Sequence, residues 1–477
     1  MRAVRTQLST ILIRTAFGIL ALTGVVSTNG FGHPGLVHEI FFPKVFAPSE
    51  LPNTGFVFVN LSSSIATVNF YYLSMTGVGL STSAEAVGPG EQLARLGNEL
   101  FPNAAADGWV YAITDTDLMH AFWLTYDSGI TFLDGAQADQ YDTIGPDQII
   151  PLVTAETELS LISLQNSTRS EVVTVRLFGP DDELAPPFMR KLPAASAYRA
   201  RVSEMFPAAD MTQARYVRIG APDGAVASTA MIKGFQVPTE VAVANGINAA
   251  TGPEITFPHV VTGAFTGAAY TTTIGVTNLA DVSQTLTISF NPGEGTPMVA
   301  RRVLAAHAAV RETAQSLFGL SDEFRTGWVR VTGSAPITGF ASYADTVRGG
   351  LAIVPPTAPD TSFFFLHIAD GPPQWQTGLA LLNTSSTSAT VEIDAMSQSG
   401  SLIGTTTMTM EPGKKIANVI HELISETRGV NAGFICVRST NDVPLYGMEL
   451  FYTQDLRVLS NVAAGRLAKG TSCGPRQ

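Results

Sequence analysis

Cysteine is nearly absent from this chain: Cys436 and Cys473 are the only two. That count cannot supply the disulfide framework that staples small secreted domains. The pair either forms one Cys436–Cys473 bridge or stands as two free thiols. Charge is scarce as well, at 14% of residues against about 25% in an average soluble protein. The charge that exists is mostly acidic, 40 acidic residues to 28 basic, for a net of −12. This excludes the basic footprint that grips nucleic acid and the Lys/Arg block that docks on anionic lipid. Long apolar runs are missing too. Residues 15–26 form the longest, too short to span a bilayer.

Catalytic signatures are also lacking. No G-x-S-x-G elbow, P-loop or dinucleotide fingerprint occurs. Among seven histidines no two stand at i,i+2 or i,i+4. His421-Glu422 begins like a zinc-protease helix, but Ser425 stands where the second ligand should be. Asp181-Asp182-Glu183 lacks the spaced pattern of a calcium loop. Of the other carboxylates, Asp115, Asp117, Asp127 and Asp345, the last two hold similar places in a repeat, as turn formers do. No cofactor or metal is implied, and the sequence reads as non-enzymatic.

The chain has an N-terminal segment with Arg2, Arg5 and Arg14, then the apolar run, then Val25-Val26-Ser27. This reads as a signal peptide over residues 1–27. It predicts a secreted, periplasmic or cell-surface protein with no membrane span once the leader is removed.

The rest is organised by repetition. Gly108-Trp109-Val110, Gly327-Trp328-Val329 and Gly433-Phe434-Ile435 echo one another, with Arg215-Tyr216-Val217 as a weaker copy. The aromatic anchors Trp109, Tyr216, Trp328 and Phe434 therefore recur every 106–112 residues, which marks a tandem array of domain-sized units. A second landmark keeps the same step. Asn60, Asn166, Asn278 and Asn383 each end an apolar strand 49–51 residues before an anchor. Asparagine there reads as a turn residue bonding its own backbone.

Three further landmarks recur. An apolar-Pro pair opens the units at Phe42-Pro43, Ile150-Pro151 and Phe257-Pro258; in the fourth, Leu366 takes the proline's place. Strands of strict period two, such as Val173, Val175 and Leu177, predict sheets with one wet face. Glu99-Leu100-Phe101, Glu204-Met205-Phe206, Ser316-Leu317-Phe318 and Glu422-Leu423-Ile424 end a short helical stretch, with Ile416, Val419, Ile420 and Leu423 at helical spacing in the last. Each anchor strand is followed by a partner strand built around a small residue, Gly339 or Gly447 in two of them. That gap predicts close approach of the anchor's ring.

These landmarks predict an all-β chain of four tandem Ig-like β-sandwich units of about 105 residues, each with a short helical plug. The expected bounds are 39–143, 144–250, 251–360 and 361–465, with a tail over 466–477. The array resembles bacterial secreted proteins built from tandem sandwich repeats with an apolar-Pro opening, a strand ending on Asn and a Gly-Trp-Val strand. The resemblance implies a secreted or surface role, and none of its motifs is known to carry chemistry. The expected function is a non-catalytic structural or adhesive repeat protein; the alternative is a carbohydrate- or peptide-binding surface protein. Two tryptophans lie off the repeat positions, Trp123 and Trp375. Trp375, read as an exposed ring in the loop after Gly371, is the candidate platform for an extracellular polysaccharide or a surface protein.

Overall fold

The computed structural model describes residues 38–467, apart from 141–143, 165–169, 223–225, 250–251, 266, 294, 346 and 372–373. The leader, the tail beyond residue 467, Asn166 and Cys473 lie outside the described residues. The chain is all-β. Its antiparallel sheets are open, and the helices among the described residues are single turns.

One strand order occurs three times along the chain and a modified form of it once. Segment one, residues 38–140, has nine strands, His38–Phe46, Thr54–Asn60, Ala66–Ser74, Gly79–Val87, Gln92–Leu96, Gly108–Thr114, Met119–Tyr126, Leu133–Gln137 and Asp139–Gln140. They build a five-stranded sheet in the order fourth–third–sixth–first–ninth and a four-stranded sheet in the order fifth–second–seventh–eighth. Segments two and four repeat both orders. Segment three departs because its first strand, Glu254–Phe265, runs on past its sheet. The extension pairs with the second strand, Ala268–Asn278, and joins the two sheets into one. The ninth strand is reduced there to a single bridge, Thr256 to Thr357.

The recurring sequence features acquire physical roles in this order. Pro43 and Pro258 sit where the first strand slips register against the sixth, between Phe42 and Val45 and between Phe257 and Val260. A bulge is where a residue without an N–H costs no ladder bond. Asn60, Asn278 and Asn383 are fully buried. Each donates through Nδ2 to a carbonyl four residues on and to a second at the far end of the outer strand. Each also accepts, through Oδ1, the N–H two residues on. The expected turn residue is therefore also a clamp between two strands.

The helical plugs are Gly97–Leu100, Val202–Met205, Ala314–Phe318 and Ile420–Leu423. Glu99 and Glu204 accept the N–H of the residue three before them, half of a capping box. The helical spacing from Ile416 was misleading: Lys415–Val419 is a strand, and only the last of those positions are helical.

Four hydrophobic cores fill the spaces between the paired sheets, centred on Phe42, Leu161, Ile288 and Ile393. Four smaller clusters lie between segments. The eighth strands, Leu133–Gln137, Val241–Asn245, Leu351–Val354 and Leu459–Val462, face inward and touch one another in a closed cycle. The four segments thus form a ring about that inner cycle.

Candidate functional site

The anchors explain how the ring is held. In a strand, residues alternate between faces, and each anchor ring points away from its own core. Trp109 packs on Ile162, Leu164, Ala197 and Ala227 of segment two, and its Nε1–H donates to the Ala195 carbonyl at 3.1 Å. Tyr216 stacks on Phe178 at 4.7 Å and donates its hydroxyl to the His307 carbonyl of segment three at 2.8 Å. Trp328 packs on Leu382 and Tyr446 of segment four, with Arg330 over its ring. Phe434 packs on Val57, Val59 and Phe122 of segment one. Each segment therefore covers the anchor of the one before it, and the fourth is covered by the first. The expected contact between anchor ring and small residue does not exist. A Cβ on Gly447 would strike the Phe363 ring, and one on Gly339 the Gly275 carbonyl.

Backbone bonds repeat the same head-to-tail relation. Ala197 donates to the Met75 carbonyl, Ala309 to Pro180 and Gln92 to Gln398. At the closing contact, between segments four and one, the buried Gln92 side chain adds three bonds. Its Nε2 donates to the carbonyls of Leu366 at 2.9 Å and Gly433 at 2.8 Å, and its Oε1 accepts the Gly433 N–H at 2.9 Å. His120 tilts on Phe364 at 4.6 Å, and Phe122 on His367 at 5.7 Å. Burial pushes both imidazoles down to about 4.

The buried carboxylate Asp134 lies on the inner cycle. It accepts the Val243 N–H of segment two at 2.7 Å and the Ser460 hydroxyl of segment four at 2.5 Å. Burial raises its pKa to about 7, against those hydrogen bonds. One mouth of the cycle is a hollow of about 200 Å3 lined from all four segments, by Thr131, Val241, Gly349 and Arg457 among others. A second shallow hollow lies by Glu392, Cys436 and Arg438.

The sequence-predicted binding residues do not form a platform. Trp123 is fully buried in the first core against Phe46. Trp375 is no exposed loop ring: it starts the strand Trp375–Leu382 and packs half-buried on Phe451 at 5.9 Å. Cys436 is buried in the cluster between segments four and one. It is not a free thiol, and its expected partner Cys473 lies outside the described residues. Asp127 and Asp345 are turn formers, accepting the N–H groups of Thr131 and Val347. His421, rejected as a zinc ligand, holds the buried Asp370 carboxylate at 2.8 Å through Nδ1. No cluster of three or more potential metal ligands occurs among the described residues. No helix among them is long and apolar enough to cross a membrane.

An aromatic cluster that the sequence reading passed over is exposed instead. Phe265, at the tip of the extended hairpin, is 52% exposed and Phe324 39%. Their rings are 4.7 Å apart, and Tyr270 meets Phe324 edge-on at 5.9 Å. The Phe324 segment docks where the Ala264 N–H donates to the Asp322 carbonyl. Gly263, at φ +91°, permits this approach, since a Cβ there would fall 2.1 Å from the Glu323 carbonyl oxygen. The available signal is the Gly-Ala-Phe-Thr-Gly stretch at 263–267, a phenylalanine between two glycines in a turn signal.

No protein-family model matches the sequence, and no curated protein matches it. Among solved structures, one described as Thermotoga maritima 1070 is 13% identical over 22% of this chain and 94% of its own, with a TM-score of 0.20. A tetra-tandem repeat from the extending region of a large adhesion protein is 12% identical over 89% and 97%, with a TM-score of 0.10. A structure from the infectious bursal disease virus Gt strain is 8% identical over 93% and 89%, also at 0.10. Scores this low establish neither fold nor function.

Proposed function

We propose that this is a non-catalytic, exported structural or adhesive protein made of four tandem Ig-like sandwich units, near 39–143, 144–250, 251–360 and 361–465. The observation that carries the reading is the head-to-tail ring, in which each unit covers the aromatic anchor of its neighbour. Such a ring holds four similar units at fixed mutual positions. Repeated weak contacts on its rim would then add through effective concentration. Residues 1–27 would direct the chain to the periplasm, the cell surface or the medium.

A second reading, recognition of an extracellular polysaccharide or a surface protein, is favoured by the exposed Phe265–Phe324–Tyr270 cluster. The test is binding of the mature protein to an array of polysaccharides and matrix proteins, with Phe324→Ala and Trp375→Ala alongside. Binding lost in Phe324→Ala and retained in Trp375→Ala would select the recognition reading and locate its site. Binding that survives both substitutions would place adhesion elsewhere on the rim. Absence of binding to every surface would leave the structural role alone.

A further inference from the structure

The fourth strand of each segment ends its sheet on the outer side of the ring: Gly79–Val87, Phe188–Leu192, Met298–Leu304 and Leu402–Met410. An unpaired edge is a template for another strand, and proteins commonly block it with charge. Three of the four edges carry such a block. Phe188–Leu192 contains Arg190 and Lys191, and Met298–Leu304 contains Arg301 and Arg302. Gly79–Val87 contains Glu85, which pairs with Arg95 at 3.0 Å. Leu402–Met410 contains no charged residue and no proline.

The comparison with the first segment is direct. Gly79–Val87 and Leu402–Met410 both have nine residues and the same sequence of exposed and covered positions. Met408 stands where the first segment has Glu85. Leu402 is 55% exposed, and Thr405, Thr407 and Thr409 form an exposed row along one face.

We propose that the Leu402–Met410 edge pairs antiparallel with the same edge of a second copy of this chain. What completes an open edge is a strand. A two-fold axis through this one opposes like with like, and the contact closes at a dimer. The faces then match, because threonine opposes threonine, a favourable cross-strand pair. The same operation on Met298–Leu304 would bring arginines against arginines, which opposes pairing. The dimer would join two five-stranded sheets into one of ten strands, with the threonine row continuous across the axis.

The test compares the full chain with two double variants by sedimentation equilibrium at micromolar concentration, with circular dichroism to verify folding. Thr405→Lys with Thr407→Lys places lysine against lysine for any axis centred on Thr405, Thr406 or Thr407. Within one chain, position 407 lies opposite Glu392, so the lysines are compatible with the fold. Ala84→Lys with Ala86→Lys charges the equivalent edge of the first segment. The expected result is a dimer for the unsubstituted chain and the Ala84/Ala86 variant, and a folded monomer for the Thr405/Thr407 variant. A monomeric unsubstituted chain would overturn the proposal. So would a dimer that survives the threonine substitutions, or one that dissociates equally in both variants.

Discussion

The contact between segments three and four and the one between segments four and one are related by the same ring geometry, yet they are built differently. The first is continuous in the chain. It uses a small cluster around Trp328, residues Ala380, Met448 and Leu450 of segment four packed against the segment-three core, and a lysine, Lys415, whose ammonium reaches the Gly327 carbonyl at 3.1 Å and the His259 ring at 2.8 Å. The second joins residues up to 341 positions apart. It has the larger apolar cluster, and Gln92 occupies the place of Lys415 on the equivalent strand. A covalent connection keeps neighbours together at high effective concentration even where their contact is thin. The closing contact lacks that help, and around its anchor it carries a larger apolar cluster and an amide with three hydrogen bonds.

The largest expected effect tests that asymmetry. Phe434→Ala should destabilise the protein by about 3–5 kcal/mol, the usual cost of deleting a buried aromatic. Trp328→Ala should cost less, because its ring keeps 9% exposure and sits in a smaller cluster. Urea denaturation of both variants decides. Equal losses would mean that closure is no more demanding than the continuous contacts.

Acid should sharpen the comparison next. A histidine pKa depressed by burial supports the fold above the ordinary 6.5 and withdraws that support as pH falls through about 4. His120 and His367 both face the closing contact, at on the order of 2–3 kcal/mol for each. Asp134 has the opposite sign. Its pKa is raised, so its support is complete below 3.8 and fades as pH rises through about 7. In His120→Phe with His367→Leu the urea midpoint should stop falling between pH 6.5 and 4, whereas Asp134→Asn should flatten the fall between 4 and 7. Unchanged pH profiles in both would detach these groups from ring stability.

The amide should matter somewhat less. Gln92→Ala leaves the Gly433 N–H and two carbonyls buried without partners, at about 2–3 kcal/mol. At the related place, burial lowers the Lys415 pKa to about 7. Lys415→Met removes a poorly solvated ammonium and should cost under about 1 kcal/mol. Denaturation midpoints that rank the two substitutions the other way would break the comparison.

Much of the fold was legible because strand alternation and turn chemistry are local. The period-two strands, the asparagines at 60, 278 and 383 and the short helices before the anchor strands stand in the predicted places, though the last helix is shorter than its spacing predicted. The function of the anchors was less legible. Alternation showed that Trp328 shares a face with Arg330, an outward face on a lone sandwich; only the neighbouring segment makes that face an interior. The same reason hid the burial of Cys436. Trp375 was misjudged, and Phe265 passed over, for a different cause. Exposure depends on where strands begin and how far they extend, and the first strand of segment three outruns its sheet by a hairpin that no other segment has.

The smallest expected effect concerns one position within the repeat. On the seventh strands, Trp123 of segment one and Glu449 of segment four correspond, and each points into its own core. Trp123 fills the core with a large, mostly apolar ring whose Nε1–H is buried without a hydrogen-bond partner. Glu449 is fully buried, and neither of its carboxylate oxygens has a hydrogen-bond partner. Burial pushes its pKa well above the usual range, so keeping it neutral in the fold costs stability that increases as pH rises. Glu449→Met retains the volume and removes the unpaired polar group, which should stabilise the protein by about 1–2 kcal/mol. The gain should grow from pH 5 to pH 8, because only the glutamate has to be kept protonated in the fold. A destabilised variant would mean that the carboxyl group makes a contact in solution that its buried position does not reveal, and that segment four is built around the acid rather than in spite of it.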